Sequence, residues 1–242
     1  MELRPGYREW APPSALRPAV SCLWTSVVAT GEPTIVLPDG CIDLIWRRGE
    51  GAFIAGPDTG PVPSALPAGS MLVGVRLRPG AGGPALGLPL TELRDQRVDL
   101  ADVRPDLARR LPGDLSPGQA LSRLIGLTAG LAATGPPDRL VSHAARRLTA
   151  SGQRTDELAR ELGVSERQFR RRCLDAVGYG PKTLQRVLRF RRFVTRLDAA
   201  DDRVDLALVA AETGYADQAH LSRESVRLAG LPPAALARVR HG

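Results

Sequence analysis

Two stretches of the sequence place arginines between apolar residues at helical spacing. The first, GVSERQFRRRCLDAVG, covers residues 163–178, and the second, GYADQAHLSRESVRLAG, covers 214–230, so their first glycines are 51 positions apart. A guanidinium group is permanently charged and presents donors that match phosphate and the acceptor edges of bases. Two interpretations follow: ordinary amphipathic helices with a solvated basic face, or a pair of helices that lie against a negatively charged partner.

The distribution of charge favours the second interpretation. Residues 1–144 contain 14 arginines and 14 acidic residues, whereas residues 145–242 contain 19 Lys and Arg against 12 Asp and Glu. The second half therefore holds the whole net charge of +7 of the 242-residue chain. A neutral half joined to a basic half indicates that only the second half meets a polyanion.

The first arginine-bearing stretch has the local signals of a helix, a tight turn and a second helix. Thr155 is predicted to cap the helix TDELAREL, and Gly163 to end it in the left-handed conformation. Ser165 and Gln168 have the spacing of a capping box, and Phe169 can pack back on the preceding helix. This order of elements predicts a helix-turn-helix unit.

The second stretch repeats these signals. Gly214 follows the apolar segment DLALVAAE, Asp217 can cap the next helix, and Leu221 stands where Phe169 stands in the first copy. The run TLQRVLRFRRFVTRL between the copies is strongly helical and long enough to hold both units rigidly. One such unit is common in helical proteins, but two in tandem that carry the whole charge excess indicate DNA binding.

Residues 145–242 resemble the DNA-binding domain of AraC/XylS-family transcription regulators. The matching segments are LARELGVSERQFRRR, GYGPKTLQRVLRFRR, VAAETGYADQAHLSR and LAGLPPAAL. The resemblance implies double-stranded DNA as the partner, with the second helix of each unit in a major groove, and it implies activation together with RNA polymerase. The DNA-contacting positions it implies are Ser165, Arg167, Gln168, Arg170, Arg171, Gln218, Ala219, His220, Ser222 and Arg223.

The sequence departs from the family at four positions. Cys173 and Ser225 stand where the family usually packs phenylalanine, and Leu236 and Ala237 replace an aromatic–arginine pair. A small polar residue at 225 predicts a thinner core in the second unit. We therefore expect the first unit to be the main specificity element.

The first hundred residues contain short β-favouring runs separated by proline- and glycine-rich turns. The predicted strands are 20–28, 34–46, 52–56 and 70–78, with turn chemistry in the PDG at 38–40. They predict a small β barrel or sandwich. From about residue 105 the pattern becomes helical, with one helix at 116–133 opened by Ser116 and Gln119 and another started by Pro137 and ending near Gly152.

The expected fold is therefore α+β. It comprises a β-rich regulatory domain at 1–104, a helical connector at 105–144 and an all-α double helix-turn-helix domain at 145–242. The segments REWAPPSALRPAVSCLW, VLPDGCIDLIW and VGVRLRPGAGGPALGLPLTEL also resemble a β-rich domain fused to AraC-type domains in bacterial regulators. That resemblance implies a sensor or dimerisation role, and hence a small-molecule effector and a homodimer.

The first half lacks the side chains of common enzymes. His143, His220 and His241 all lie outside residues 1–104, which argues against a metal centre, a cofactor or Ser–His catalysis there, and we predict no enzyme activity. Cys41, between a turn and a strand, can be a buried structural thiol, a redox or electrophile sensor, or the nucleophile of a DNA-repair protein. The candidate ligand residues are Trp24, Cys41, Asp43, Trp46 and Arg76.

Several of these residues have a second interpretation. All the tryptophans lie in the neutral half, where they can fill a small core, or Trp24 and Trp46 can line a pocket with Asp43 or Arg76 as its polar anchor. For the whole chain, the alternatives are a thiol-based DNA-repair protein and a helical module that binds acidic proteins. The scattered cysteines, and the lack of a signal peptide or a membrane-length apolar run, predict a cytoplasmic protein without membrane contact.

Overall fold

A computed structural model describes residues 6–151, 153–199 and 205–241 of the chain. Its eight strands all lie in the first hundred residues. They are β1 (Gly6–Trp10), β2 (Val20–Val27), β3 (Thr34–Val36), β4 (Ile42–Arg47), β5 (Gly51–Ala55), β6 (Val62–Ser64), β7 (Met71–Leu77) and β8 (Arg97–Asp99).

Helices account for most of the remaining chain. They are α1 (Gly82–Leu86), α2 (Leu100–Val103), α3 (Pro105–Ala108), α4 (Pro117–Thr134), α5 (Arg139–Ser151), α6 (Thr155–Glu161), α7 (Glu166–Val177), α8 (Pro181–Asp198), α9 (Leu206–Glu212), α10 (Gln218–Ala229) and α11 (Pro233–His241). Two short 3-10 turns, Ser14–Leu16 and Leu90–Glu92, join strands and helices in the first half. None of the helices in the described ranges is both long and apolar enough to span a bilayer.

The strands form two antiparallel sheets. Six of them pair in the order β1-β2-β7-β4-β5-β8, and β3 pairs with β6 in a separate two-stranded sheet. Along β7, Val73 and Val75 are fully buried in the core that α4 covers, whereas Leu72 belongs to a separate cluster on the other face with Trp24. The alternation of side chains therefore separates a sheet–helix core from a second face, and the predicted α+β class is confirmed.

The predicted strand at 34–46 is wrong in one respect. Its first part is β3 and its last part is β4, and these lie in different sheets. The PDG segment between them breaks the strand because Gly40 has a positive φ of 84°. The sequence pattern also missed β1, β6 and β8, which are short; β6 carries Pro63, a residue normally confined to sheet edges.

The two connector helices pack in different cores. Helix α4 begins as predicted, with Ser116 and Gln119 in a reciprocal capping box, and buries Leu124 in the core of the sheet. Helix α5 starts at Arg139 and not at Pro137, because the Asp138 carboxylate accepts a hydrogen bond from the backbone N–H of Val141 at 3.0 Å. It ends at Ser151, and the predicted stop at Gly152 falls outside the described residues.

Helix α5 also buries Val141 and Leu148 in the core of the helical half. The chain therefore passes from one core to the other between α4 and α5. The domain limits proposed from the sequence remain predictions.

The two halves are in close contact. A Cβ at Gly83 of α1 would lie 2.4 Å from the carbonyl oxygen of Asp175 on α7. A Cβ at Gly178, which ends α7 with a φ of 85°, would lie 2.8 Å from the carbonyl oxygen of Leu90. Glycine is the residue that allows backbones to approach this closely.

We expect Gly83→Ala to destabilise the protein by about 1–3 kcal/mol, because the added methyl group must push α7 away from α1. Gly130→Ala, in the interior of α4, is the matched control. A Cβ at Gly130 meets no atom within 4 Å, so this substitution should stabilise the helix by about 0.5–1 kcal/mol. Urea unfolding of both variants measures the difference. If the Gly83→Ala variant unfolds at the same urea concentration as the Gly130→Ala variant, the backbones at Gly83 and Asp175 can separate without loss of stability.

Candidate nucleic-acid interface and ligand cavity

The first helix-turn-helix unit is made of α6 and α7. Gly163 turns the chain with a φ of 68°. Ser165 then caps α7, its hydroxyl accepting from the Gln168 N–H at 3.2 Å while the Gln168 side chain accepts from the Ser165 N–H at 3.0 Å. Phe169 is 1% exposed and packs in the helical core. The turn and the cap are therefore where the sequence predicts them.

The predicted cap of α6 requires correction. Thr155 is the first residue of the helix, and Arg154 holds the N-cap position without a side-chain hydrogen bond to the backbone. Asp156 and Glu157 occupy the first turn instead. Their charges stabilise the positive end of the helix dipole without a cap.

The second unit is made of α9 and α10. Asp205 caps α9, and Gly214 turns the chain with a φ of 84°. The Asp217 carboxylate then accepts from the His220 N–H at 2.6 Å and caps α10. Leu221 is fully buried, as Phe169 is nearly so in the first unit. The predicted repeat is thus present in the backbone and in the packing.

The predicted DNA-contacting side chains are mostly accessible. Those that are exposed are Ser165, Arg167, Gln168, Arg170, Arg171, Gln218, Ala219 and Arg223, and those that are half-buried are His220 and Ser222. The side chains of Ser165 and Gln168 bond to each other's backbone, so their first role is to fix the start of α7. His220 packs edge-on against Tyr215, with ring centroids 5.2 Å apart.

Helix α8 connects the two units. Glu224 of α10 is 7% exposed, and its carboxylate accepts from Arg186 at 2.6 Å and from Arg189 at 3.0 Å, both on α8. The Arg189 guanidinium also lies 4.7 Å from the centroid of the Tyr215 ring, a cation–π contact. A buried ionic contact thus fixes α10 on the helix that also carries the first unit.

The unusual Ser225 has a specific role in this packing. It is fully buried, and its hydroxyl donates to the carbonyl oxygen of Leu231 at 2.7 Å. Leu236 of α11 is 4% exposed in the same core, and Cys173 is fully buried in the first unit. The hydrogen bond satisfies the hydroxyl, while a weaker second unit remains a prediction.

A basic groove of about 970 Å³ runs beside α7. The cations that line it are Arg94, Arg167, Arg170, Lys182, Arg186 and Arg227. Sequence reasoning missed Lys182, at the start of α8, and Arg227, near the end of α10, because the resemblance assigned DNA contacts only to the first half of each second helix. Arg94 comes from the β-rich half and could not be placed beside α7 without the fold.

A second cavity, of about 740 Å³, lies between the six-stranded sheet and the β3–β6 pair. Four of the predicted ligand residues line it: Trp24, Cys41, Asp43 and Arg76.

The fifth predicted ligand residue, Trp46, does not line the cavity. Its side chain lies in the core on the opposite face of the sheet, fully buried, and its Nε1 donates to the carbonyl oxygen of Pro112 at 2.8 Å. Trp24 and Trp46 are 22 positions apart on different strands, and the register of those strands places them on opposite faces.

Asp43 is the central polar group of this cavity. Trp24 Nε1 donates to its carboxylate at 2.6 Å, and Arg76 Nε lies 3.3 Å from it. Burial raises the pKa of Asp43 to about 6, although the positive charge of Arg76 opposes the shift. A carboxyl group with such a pKa in a cavity is typical of a ligand-binding or otherwise functional position.

Cys41 lies at the edge of this cavity and is 5% exposed. Burial, followed by the negative charge of Asp39, raises the pKa of the Cys41 thiol well above its usual value. The thiolate is the reactive form, so this environment opposes nucleophilic or redox chemistry and favours a structural thiol. In the described ranges, no group of three or more His, Cys, Asp or Glu side chains could hold a metal ion.

Comparison with known proteins gives independent findings for the two halves. Residues 158–238 match the family model of a helix-turn-helix domain, and residues 8–99 match a domain of unknown function (DUF6597). A search of curated proteins finds no significant match.

Solved structures show the same fold over nearly the whole chain. One structure of ToxT from Vibrio cholerae O395 is 10% identical, covers 88% of this chain and 95% of its own, and has a TM-score of 0.50. A second, at 1.65 Å resolution, is also 10% identical and covers 91% and 99%, with a TM-score of 0.51. At this identity the similarity concerns the fold. Together with the two domain matches, it shows that a β-rich domain, which matches DUF6597, precedes a helix-turn-helix domain in this chain.

Proposed function

We propose that the protein binds specific sequences of double-stranded DNA through α7 and α10 and responds to a small-molecule effector in the cavity of its β-rich half. The observation that carries this proposal is the pair of capped helices mounted on α8, each with exposed polar or basic side chains at its start. Because both helices pack on α8, their relative position is fixed, as is required of two helices that enter neighbouring major grooves together.

The proposed contacts divide by chemistry. Arg167, Arg170 and Arg171 of α7 supply guanidinium groups for guanine edges or phosphate, and Gln218 and Arg223 of α10 supply an amide and a further guanidinium group. Half or more of such contacts usually go to phosphate. Lys182, Arg227 and Arg94 of the basic groove would add phosphate contacts that position the helices.

A short segment connects the cavity to the helical half and supports effector control. Asp39 and Cys41 line the cavity, while Leu37 also packs against the helical core. Between them, Gly40 lies against α8, where a Cβ would be 3.4 Å from Leu188 and 3.6 Å from Leu184. A ligand that displaces residues 37–41 would therefore press on the helix that carries both units.

The assignments beyond DNA and effector binding rest on the resemblance of the sequence to AraC/XylS-family transcription regulators. We propose an activator that acts with RNA polymerase, as a homodimer and in the cytoplasm. A small organic effector is supported by a ToxT structure with a TM-score of 0.50 to this chain, which is described as bound to (E)-4-(8-methylnaphthalen-1-yl)but-3-enoic acid. That ligand shows only that a protein of this fold holds an organic molecule.

Selection of bound duplexes from a random pool, followed by the same selection with Arg171→Ala, tests the proposal. If Arg171 reads a base edge, the variant should lose about 1–3 kcal/mol of binding free energy and relax its preference at one base pair. A uniform loss on all sequences would assign Arg171 to phosphate. Arg109→Ala, an exposed arginine of the first half, is the control and should bind as the wild type. No enriched sequence with the wild type would refute specific recognition.

A further inference from the structure

The charges on the wall of the cavity do not balance. Arg76 Nη1 lies 2.9 Å from Glu9, and Arg76 Nε lies 3.4 Å from Asp39 and 3.3 Å from Asp43. Asp39 and Asp43 line the cavity and share this one guanidinium group, which also pairs with Glu9, an exposed residue outside the lining. Because charges removed from water must be compensated, this arrangement leaves negative charge that a ligand could neutralise.

The other arginines on the wall already have partners. Arg97 makes a paired contact with both oxygens of Asp58, each at 2.8 Å, and Arg47 lies 2.8 Å from Glu50. An acidic ligand would have to displace one of these carboxylates before it met a cation. The cavity is thus poorly suited to an anion.

An aromatic pair stands beside the excess carboxylates. The rings of Tyr7 and Trp24 are 5.7 Å apart between centroids, both residues line the cavity, and Trp24 bonds directly to Asp43. Phe53 and Leu72 extend the apolar wall. Aromatic faces next to carboxylates are the surroundings in which proteins bind organic ammonium groups, through cation–π attraction together with ion pairing.

We propose that the effector is an organic cation, whose ammonium or amidinium group lies between Asp39 and Asp43 and whose apolar body rests on Trp24 and Phe53. The proposal rests on the proposed effector control and gives the chemistry of the ligand. A volume of about 740 Å³ leaves room for an aromatic or long aliphatic body.

Matched compounds test the charge directly. Phenyl, indolyl and decyl bodies, each as a primary amine, an alcohol and a carboxylate, are titrated into the full-length protein by calorimetry at about pH 7.5. For at least one body we expect the amine to bind tenfold or more tightly than its alcohol and its carboxylate. A carboxylate that binds as tightly as its amine, or no binding by any amine, would overturn the proposal.

The Asp43→Asn variant tests the location. It should lower the affinity for the best amine about tenfold or more, whereas Asp114→Asn, an exposed carboxylate outside the cavity, should change nothing. If Asp43→Asn folds poorly, the wild type gives the same information through pH. Lowering the pH from about 7.5 to about 5 protonates Asp43, whose pKa burial raises to about 6, and should weaken amine binding about tenfold.

The groups closest to Asp43 in this titration are Arg76, Asp39 and the Trp24 indole, and Asp43 also interacts electrostatically with Cys41, Cys22 and Arg97. An affinity that does not fall at low pH, together with an unaffected Asp43→Asn, would place the amine elsewhere. Duplex binding is measured in the same samples. If the protein binds duplex DNA but binds a carboxylate more tightly than the matching amine, only the cationic effector is refuted. If it binds the amine but no duplex DNA, only the proposed function is refuted.

Discussion

Raising the salt concentration from about 50 to about 200 mM is expected to weaken the complex of the full-length protein with its DNA by about 10³–10⁵-fold. The loss arises because each phosphate neutralised by an arginine or lysine releases condensed counterions, and the release is less favourable in salt. The estimate assumes roughly six to ten phosphate contacts. The exposed cations of α7, α10 and the basic groove are numerous enough to supply them.

Fluorescence anisotropy with a labelled duplex measures this slope. Lys182→Ala and Arg227→Ala should each reduce the slope of log affinity against log salt by about 1, while Arg109→Ala should leave it unchanged. The three variants remove equal charge from the chain, so the comparison separates local contact from net charge. A flat response of the wild type would instead contradict DNA binding through phosphate contacts.

The second large effect is expected at Glu224. Replacing it by glutamine leaves Arg186 and Arg189 without their shared carboxylate in a mostly buried site, which should cost about 3 kcal/mol of unfolding free energy. Glu212→Gln is the matched control, because Glu212 pairs with Arg196 of the same helix α8 at the surface, where such a pair contributes about 1 kcal/mol or less. Urea unfolding of the two variants gives the comparison.

The same contact predicts acid sensitivity. Burial alone would raise the pKa of Glu224, but the hydrogen bonds from Arg186 and Arg189 lower it below its usual value of 4.5. A carboxyl group with a lowered pKa stabilises the fold above its unfolded pKa, and this stabilisation is lost as the pH falls through the folded value. The difference between wild type and Glu224→Gln should therefore shrink below about pH 4.5. A constant difference down to pH 3 would mean that glutamine disturbs packing and not charge.

Short-range signals made most of the long helices predictable from the sequence. The capping boxes at Ser116 and Ser165 and the left-handed glycines at 163 and 214 depend on residues no more than three or four positions apart. Such contacts can be read from spacing alone. Two helix starts were misplaced: Thr155 is the first residue of α6 and not its cap, and α5 starts at Arg139 and not at Pro137. A threonine near a helix start can be either the cap or the first helical residue.

Long-range contacts could not be predicted in this way. The cavity exists because β3 and β6 form a sheet of their own, and no local pattern specifies that pairing. Trp46 shows the same limit: its type suited a binding pocket, but the register of β4 against β7 directs it into the core. Arg94 reaches the basic groove only because the two halves dock closely.

The segment at residues 37–41 restricts how this protein can diverge. Because Asp39 faces the cavity and the adjacent Gly40 touches α8, a substitution there alters ligand preference and domain docking together. Phe53 and Leu72 line the cavity from β5 and β7 and pack in a cluster separate from the helical core, so they can change without altering how the two halves dock. Relatives with new effectors should therefore differ at the positions of Phe53 and Leu72 while they retain the segment 37–41.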